Sequence, residues 1–554
     1  MLPGPQGERY ALAAIVALAA ALRFFPIWFG LPYPFARPDE EAAVGLALGM
    51  QGGDLNPRFF HWPSFAIYSF ATLFAVASAV ARALSLEPLP TAGYVLLARG
   101  LVASCGTLTI IVLFRLTRRV ADTLTALVAA LLLSVALLHV RESHFAMTDV
   151  LMTLLLTASL AHLLRAVDES KVEALRSRAL LSAAVAGLLG GLATSTKYSA
   201  AAILPAVVAA KAAWLRNTPT KPTAPRGWAP MLYFVLAFIA GFVAGTPYAL
   251  LDAERFATDV RFVLTHLSGG HGLDVGRGWT YHLRRSLLYG AGVPTCVAAI
   301  AGLVPFARGL GWHGVVLATV AVAFYASVGS GNTVFFRYVL PLVPIVCLVA
   351  ALAVREMSRW LARRLGASPA LTVGLLTAAV ALPSMVQSAW FDLLLARTDT
   401  RVLAGAWLAP QLQAAHSLHD SGSTYTRLDL NRVRFHEWAF DPGTRSFGPL
   451  DGNPSAGHRQ PPDVIPDWLV LHESPLHLYA ATPPALRQLA AVKYDLVFSV
   501  HATRGHATSA VYDVQDAFFL PMSGLGTVQR PGPTIRIYRR RQAPPLNPEA
   551  RTQR

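Results

Sequence analysis

Residues 93–119 read GYVLLARGLVASCGTLTIIVLFRLTRR. The first 22 of these residues, 93–114, are almost all apolar, and a helix needs about 20 such residues to cross a bilayer. The stretch ends in Arg115, Arg118 and Arg119, and a basic cluster of this kind is typical of the cytoplasmic end of a span. The segment therefore predicts a transmembrane helix whose C-terminal end faces the cytoplasm.

The same pattern recurs over roughly the first 390 residues of the 554-residue chain. Apolar residues make up 54% of the chain and charged residues only 14%, which is typical of a polytopic α-helical membrane protein. Residues 10–30 lack a small-residue cleavage site, so we interpret them as the first span and not as a signal peptide. About eleven spans are predicted, at 10–30, 93–114, 120–140, 146–166, 179–196, 199–215, 229–250, 287–307, 313–329, 335–354 and 368–390.

The basic residues between these spans predict the topology. The formal net charge is +16, and much of the arginine excess lies in short loops, which indicates anionic lipid headgroups as partners and not nucleic acid. All the clusters fall on one side if the N-terminus is cytoplasmic and the ambiguous stretch 62–84 does not cross. We therefore expect 62–84 to form a helix on the outer surface. The clusters are Arg115, Arg118 and Arg119; Arg165, Lys171, Arg176 and Arg178; Lys211, Arg216, Lys221 and Arg226; Arg308; and Arg355, Arg359, Arg363 and Arg364.

After residue 390 the long apolar stretches end and the sequence pattern changes. Short β-type runs such as Trp468–Leu471 and Leu496–Val500 alternate with Pro- and Gly-rich turns and one helical stretch near 483–492. This predicts a soluble mixed α/β domain over 391–541 on the outer side, after a membrane domain over 1–390. Residues 542–554 are expected to be a flexible tail.

Acidic residues collect on the predicted outer side. The sequence Arg37-Pro38-Asp39-Glu40-Glu41 follows the first span. A carboxylate beside apolar walls at a membrane surface can act as a general base. The alternative is a helix start, in which Pro38 occupies the first turn and the acids favour the helix dipole. The residues alone leave both interpretations open.

Four further polar residues lie at predicted outer ends of apolar segments. His61 can bind a ligand or form an ordinary interfacial hydrogen bond, and Asp149 can serve a site or cap its helix. Lys197 is the only one of five lysines inside a hydrophobic hairpin, which suits a point-charge partner such as phosphate or simple snorkelling. Arg337 begins another apolar helix, in Phe336-Arg337-Tyr338-Val339-Leu340-Pro341.

Taken in order, these motifs resemble a known family. The Pro-Asp-Glu after the first helix, the His61-Trp62-Pro63 segment, the Asp149 loop, the Thr196-Lys197 hairpin and the Arg337-Tyr338 entry recur in one order over residues 10–390. The chain is similar to the GT-C membrane glycosyltransferases of the protein O-mannosyltransferase and aminoarabinose-transferase type. The aminoarabinose-transferase pattern has an acid and a lysine where His61 and Trp62 stand here, which removes one expected phosphate contact.

The resemblance implies roles for particular residues. Asp39 would be the general base, with Glu40 in the same catalytic motif. Asp149, Lys197, Arg337, Tyr338 and His61 would bind a lipid-phosphate donor between the outer loops. His61 and His266 would share a divalent metal ion, and no other cofactor is expected.

The sequence therefore predicts transfer of one sugar from a polyprenyl-phosphate donor to a lipid, glycan or protein hydroxyl of the cell envelope, with inversion. The alternative is a transporter or lipid flippase, which would need polar residues along a path through the midplane; the predicted spans hold very few. A third interpretation is a non-catalytic envelope scaffold. Arginine is used far more than lysine, which indicates a GC-rich bacterium and places the chain in its inner membrane, with the C-terminal domain in the periplasm.

Overall fold

The computed structural model describes residues 5–33, 35–217, 228–450, 464–505 and 510–541. Lys221 and Arg226 of the third basic cluster, and the tail predicted at 542–554, lie outside the described residues. The chain divides into two compact units, the first comprising Met1–Trp28 and Asp39–Leu393 and the second Phe29–Pro38 and Leu394–Arg554. The short segment Phe29–Pro38 thus folds with the C-terminal part of the chain, which the sequence did not predict.

The first unit is helical. Its α-helices are Pro5–Phe24, Glu40–Gly49, Phe65–Ala83, Thr91–Val120, Thr123–Val135, Leu137–Glu142, Thr148–Glu169, Arg176–Thr194, Leu204–Asn217, Trp228–Gly245, Tyr248–Leu251, Ala253–Gly269, Gly278–Tyr281, Leu288–Ala291, Val293–Gly309, Gly311–Gly329, Val343–Leu365 and Pro369–Leu395, the last of which runs into the second unit. Shorter turns are the 3-10 segments Met50–Gly52, Glu173–Leu175, Tyr198–Ile203 and Phe336–Leu342 and the π-helical turn His282–Leu287.

Nine helices within the described residues are long and apolar enough to cross a membrane, or ten if the pair Gly278–Ala291 and Val293–Gly309, bent by 112°, forms one span. The chain is therefore a multi-pass membrane protein: eight of the eleven predicted spans are among these nine helices, 287–307 falls in the bent pair, and 10–30 and 120–140 are not among them. The helix Phe65–Ala83 is among the nine. Length and composition thus leave its place open, and its position on the outer surface stays a prediction.

The predicted span 120–140 shows why the count differs. It is broken at Ala136 into Thr123–Val135 and Leu137–Glu142, each shorter than a full span. The break leaves carbonyl groups at the end of the first helix, and such groups must be satisfied inside a bilayer. The fully buried guanidinium of Arg23 donates to the carbonyl oxygens of Leu133 at 3.1 Å and Ser134 at 3.0 Å.

Glycines allow two helices to pack closely together, and the first of these helices leads to Lys197. A Cβ atom on Gly187 would lie 2.1 Å from the carbonyl oxygen of Phe234, and one on Gly191 would lie 2.1 Å from that of Phe238. The helices Arg176–Thr194 and Trp228–Gly245 can approach this closely only because glycine occupies both positions, as in other membrane helix pairs with small residues four apart. The end of the first of these helices fixes where the chain turns toward Lys197.

The second unit contains a six-stranded mixed sheet. Its strands are β1 (Ser417–Asp420), β2 (His436–Asp441), β3 (Ser446–Pro449), β4 (Trp468–Glu473), β5 (Tyr494–Val500) and β6 (Thr534–Arg540), in the order β3-β2-β1-β4-β6-β5. Strand β1 is parallel to β2 and β4, whereas β6 is antiparallel to β4 and β5. The helical elements are Thr400–Leu408, Ala409–Gln411, Pro484–Lys493 and Leu525–Thr527.

Helices cover both faces of this sheet. Trp468 and Val470 of β4 pack with Leu408 of the helix Thr400–Leu408. Leu469 and Leu471 pack on the opposite face with Leu486 of the helix Pro484–Lys493. Strand side chains alternate between faces, so the run Trp468–Leu471 is buried on both sides and reads as continuously apolar. The predicted mixed α/β domain is confirmed.

Candidate functional site

A cavity of about 580 Å³ lies among the connecting segments of the first unit. It brings together seven of the eight residues that the sequence singled out. Its described lining includes the predicted residues Asp39, His61, Asp149, Lys197, His266, Arg337 and Tyr338, and also Trp62, Met147, Thr148, Tyr198, Phe262, Leu267, His271, Val328 and Phe335. Apolar and charged groups therefore share one cavity, which suits an amphipathic ligand.

Asp39 and Arg337 form an ion pair in this cavity. The guanidinium Nη2 of Arg337 donates to Oδ2 of Asp39 at 3.0 Å. Asp39 lies directly before the helix Glu40–Gly49 and keeps 35% of its side chain exposed, whereas Arg337 keeps 6%. Arg337 also lies over the ring of Phe335 at 4.3 Å. The acid that resembles a catalytic base is thus accessible, and a buried cation holds its orientation.

A second ion pair joins Asp149 and Lys197. Lys197 Nζ donates to Oδ1 of Asp149 at 2.6 Å and lies 4.6 Å from the centre of the Tyr338 ring. Burial lowers the pKa of Lys197 below its ordinary value, and the carboxylate of Asp149 partly opposes that effect. The charged residues among the described lining are these two acids and two bases, so the cavity is charge-balanced as it stands.

Glu40 is not among the described residues that line the cavity. Its side chain is buried, and its two carboxylate oxygens accept from Nε and Nη2 of Arg99 at 2.8 and 2.6 Å. The backbone N–H of Ala146 donates to the same carboxylate at 2.8 Å. Glu40 therefore ties the start of its helix to the loop that carries Asp149, and its predicted catalytic role stays a prediction.

One signal for the buried position of Glu40 was present in the sequence. Arg99 lies in the middle of an apolar span, and an intramembrane arginine needs a buried partner. The sequence could not name that partner.

The structure does not bring His61 and His266 together around a common point. The ring of Phe262 lies between them, stacked on His61 at 4.5 Å and on His266 at 5.9 Å between ring centres. His266 Nε2 instead lies 3.3 Å from Nδ1 of His271. Among the described residues, no group of three or more His, Cys, Asp and Glu side chains is placed to hold a metal ion. These residues do not fit the expected metal site.

The sequence missed part of the cavity wall. Phe262 and His271 come from the helix Ala253–Gly269 and the turn that follows it, and Tyr198 begins the segment after Lys197. Tyr198 donates its hydroxyl proton to the carbonyl of Phe60 at 2.9 Å, which ties the Lys197 hairpin to the His61 segment. Amphipathic spacing in 253–269 was the one available signal for this wall.

Two features define the class of protein. One unit has many membrane helices with charged residues gathered in its connecting segments, and the other contains a mixed sheet. This is the GT-C fold of membrane glycosyltransferases, so the resemblance seen in the sequence is confirmed at the level of the fold. Residues 95–244 match the family model described as dolichyl-phosphate-mannose-protein mannosyltransferase. No curated protein matches the chain at a significant level.

The fold is similar to those of several solved structures. ArnT from Cupriavidus metallidurans in the apo state aligns with a TM-score of 0.50 and 17% identity, over 95% of this chain and 97% of that chain. The same protein bound to undecaprenyl phosphate gives 0.51 and 16%, over 77% and 85%. The oligosaccharyltransferase AglB from Archaeoglobus fulgidus, in complex with an inhibitory peptide and a dolichol-phosphate, gives 0.51 and 12%, over 96% and 88%. The alignment with the apo form of the Archaeoglobus enzyme spans only 62% of that protein.

Proposed function

We propose that this protein transfers a single sugar, a hexose or a pentose, from a polyprenyl-phosphate donor to a hydroxyl group of an envelope lipid, glycan or protein. The observation that carries the proposal is the pairing of Asp39 with Arg337 and of Asp149 with Lys197 around one amphipathic cavity. Two of the structurally similar proteins are solved with undecaprenyl phosphate or dolichol-phosphate bound, which supports a lipid-phosphate ligand.

The charges of the cavity suit a phosphodiester. A bound donor would add negative charge to a cavity whose lining charges cancel, so its phosphate needs cations that can turn toward it. Arg337 and Lys197 are the two candidates. Each now holds a carboxylate, and each would exchange part of that contact for phosphate oxygen. The exchange would release Asp39 from Arg337 when the donor is in place.

Asp39 then acts as the general base. It takes the proton from the acceptor hydroxyl, whose oxygen attacks the anomeric carbon of the sugar. The bond from that carbon to the phosphate oxygen breaks, and the polyprenyl phosphate leaves with its charge stabilised by Lys197 and Arg337. One displacement inverts the anomeric centre. No step requires a metal ion.

The proposed setting is the inner membrane of a bacterium. The N-terminus would be cytoplasmic, and the cavity and the C-terminal unit would face the periplasm. The apolar lining, which includes Met147, Leu267 and Val328, suits the prenyl chain of a donor that remains in the bilayer.

The test uses purified protein in proteoliposomes that contain undecaprenyl phosphate linked to labelled hexoses or pentoses. Lipid, glycan and peptide acceptors are supplied in turn, and NMR gives the anomeric configuration of the product. Transfer with inversion by the wild-type protein but not by Asp39→Asn is expected. Equal donor consumption with and without protein would overturn the proposal, and scrambling of fluorescent lipid without transfer would favour a flippase.

A further inference from the structure

The helix Gly278–Ala291 of the first unit ends at a sharp bend. The next helix, Val293–Gly309, runs in a direction that differs by 112°. This second helix falls within the predicted span 287–307, and spans are tilted on average by only about 20° from the bilayer normal. A helix that meets such a span at close to a right angle lies near the plane of the membrane surface.

One face of the helix Gly278–Ala291 packs against the rest of the first unit. Gly278, His282, Ser286 and Gly290 follow each other at intervals of four residues, which places them on one face, and all four are buried. The backbone N–H of Gly278 also donates to the carbonyl oxygen of Gly331 at 2.9 Å, and Gly331 lines the cavity. This face therefore fixes the helix to the wall of the cavity.

Several of the remaining positions carry apolar and basic side chains that are exposed. Trp279 and Leu283 are 40% and 55% exposed, and Arg277, Arg284 and Arg285 are exposed as well. Among the residues that the structure describes, none of these three arginines has an ion pair or a hydrogen bond through its side chain. Their charges are therefore not compensated within the unit.

These arginines are unusual for their place in the chain. Arg284 and Arg285 directly precede the predicted span 287–307, at its predicted outer end, where the positive-inside rule leads us to expect few basic residues. Asp274 is the one acid in residues 270–292, which hold three arginines, so this segment has a formal charge of +2 with histidine neutral. An anionic partner from outside the unit would balance that charge.

A lipid surface fits this combination of side chains. Tryptophan is enriched at the membrane–water interface, where its ring lies at the level of the headgroups. Helices that lie in the interface combine arginine with tryptophan and leucine, as Arg284, Trp279 and Leu283 do here. The guanidinium group forms strong charge-assisted hydrogen bonds with phosphate. The bend at the start of a span places the same helix where such headgroups are found.

We propose that the helix Gly278–Ala291 lies in the lipid–water interface and that Arg277, Arg284 and Arg285 bind the phosphate groups of anionic phospholipids. Trp279 and Leu283 contact the acyl chains beside those headgroups. None of these five residues is among the described residues that line the cavity. The surface is thus distinct from the proposed donor site, and the proposal does not depend on the proposed reaction.

The test measures quenching of Trp279 fluorescence in the full-length protein, reconstituted in vesicles of phosphatidylcholine and phosphatidylglycerol. Bromine is placed on the acyl chains of one lipid or of the other, and subtraction of the Trp279→Phe signal isolates this residue among the 11 tryptophans. We expect stronger quenching by brominated phosphatidylglycerol. In Arg284→Gln/Arg285→Gln the association constant of phosphatidylglycerol relative to phosphatidylcholine should fall by up to about fivefold for each arginine removed.

The chain offers a matched control for this variant. Arg363→Gln/Arg364→Gln removes another exposed pair of adjacent arginines, at the predicted cytoplasmic end of the helix Val343–Leu365. It should leave the quenching of Trp279 unchanged. Arg284→Lys/Arg285→Lys keeps both charges and should keep most of the preference for phosphatidylglycerol, because the attraction to a lipid surface is mainly Coulombic.

Four results would overturn the inference. The first three are equal quenching by the two brominated lipids in the wild-type protein, an unchanged preference in Arg284→Gln/Arg285→Gln, and an equal loss of preference in Arg363→Gln/Arg364→Gln. The fourth is quenching of Trp279 by aqueous iodide but by neither brominated lipid. That result would place the helix in water and favour a soluble acidic partner.

Discussion

Arg337 holds Asp39 at 3.0 Å, across 298 positions of the chain. The residue proposed to bind the donor phosphate is thus the partner of the residue proposed to remove the acceptor proton. The donor is expected to take Arg337 away from Asp39, so the base would be released only when a donor is bound.

Replacement of Asp39 by asparagine should lower sugar transfer by about 10²–10⁴-fold, the usual contribution of a general base. The amide keeps the size of the side chain and can still accept from Arg337, so folding and binding of undecaprenyl phosphate should persist. Product formation by purified protein is the measurement. Asp54→Asn is the control, because Asp54 forms an exposed pair with Arg58. Near-normal turnover in Asp39→Asn would rule out Asp39 as the base.

The phosphate contacts can be tested by donor titration. Lys197→Met should weaken donor affinity about ten- to a hundredfold, the equivalent of roughly 1.5–3 kcal/mol for a charge-assisted contact. Arg337→Lys should also weaken it, because the planar fork is lost. If both cations hold one phosphate, the effects of the double variant should be less than additive.

The structure adds a control to this titration. Lys197→Met would leave the carboxylate of Asp149 unpaired, although that side chain is only 1% exposed, and an unpaired buried charge costs about 3–5 kcal/mol of stability. The double variant Asp149→Asn/Lys197→Met removes both charges and should recover stability but not donor affinity. Unchanged donor affinity in both variants would contradict the predicted contact between Lys197 and the donor phosphate, and would favour the interpretation of Lys197 as a snorkelling residue.

The buried Glu40–Arg99 pair predicts a loss of stability. Glu40→Gln leaves the Arg99 guanidinium without its counter-charge, so the free energy of unfolding should fall by about 3–5 kcal/mol. Thermal unfolding in detergent measures the effect, with Asp54→Asn again as the exposed control. A midpoint equal to wild type would show that the pair contributes little to stability.

Topology is tested by cysteine labelling in a cysteine-free background. Arg115→Cys should react only with reagent on the cytoplasmic side, and Thr444→Cys, at an exposed turn of the second unit, only with reagent outside. The helix Phe65–Ala83 decides this result, because its crossing the membrane would place Arg115 on the outer side. Labelling of Arg115→Cys from outside and of Thr444→Cys from the cytoplasm would therefore contradict its predicted place on the outer surface, whereas labelling of both positions from one side would show that a span between them is miscounted.

The close approach of two helices gives a steric prediction. Gly187→Ala places a Cβ atom 2.1 Å from the Phe234 carbonyl oxygen, so the helices must separate. We expect a lower unfolding temperature and, because this helix leads to Lys197, weaker donor binding. Gly374→Ala is the matched control, since nothing lies within 4 Å of an added Cβ there. Equal stability of the two variants would contradict the packing.

The sequence by itself determined the multi-pass character of the chain, the separate mixed α/β domain and the group of polar residues that includes Asp39, Asp149, Lys197 and Arg337. Hydropathy and alternation are local patterns, and a bilayer demands about 20 apolar residues in a row whatever lies elsewhere in the chain. The order of the motifs along the chain can likewise be read directly from the sequence. These features required no knowledge of which helices touch.

Only the tertiary structure decided which charge meets which. It paired Asp39 with Arg337 and Glu40 with Arg99, placed Phe262 between His61 and His266, and built Phe29–Pro38 into the second unit. Ion pairs and ring stacks join residues that are far apart in sequence, and local composition carries no information about such partners. The role of a buried charge follows from its partner, so these roles became visible only when the chain was folded.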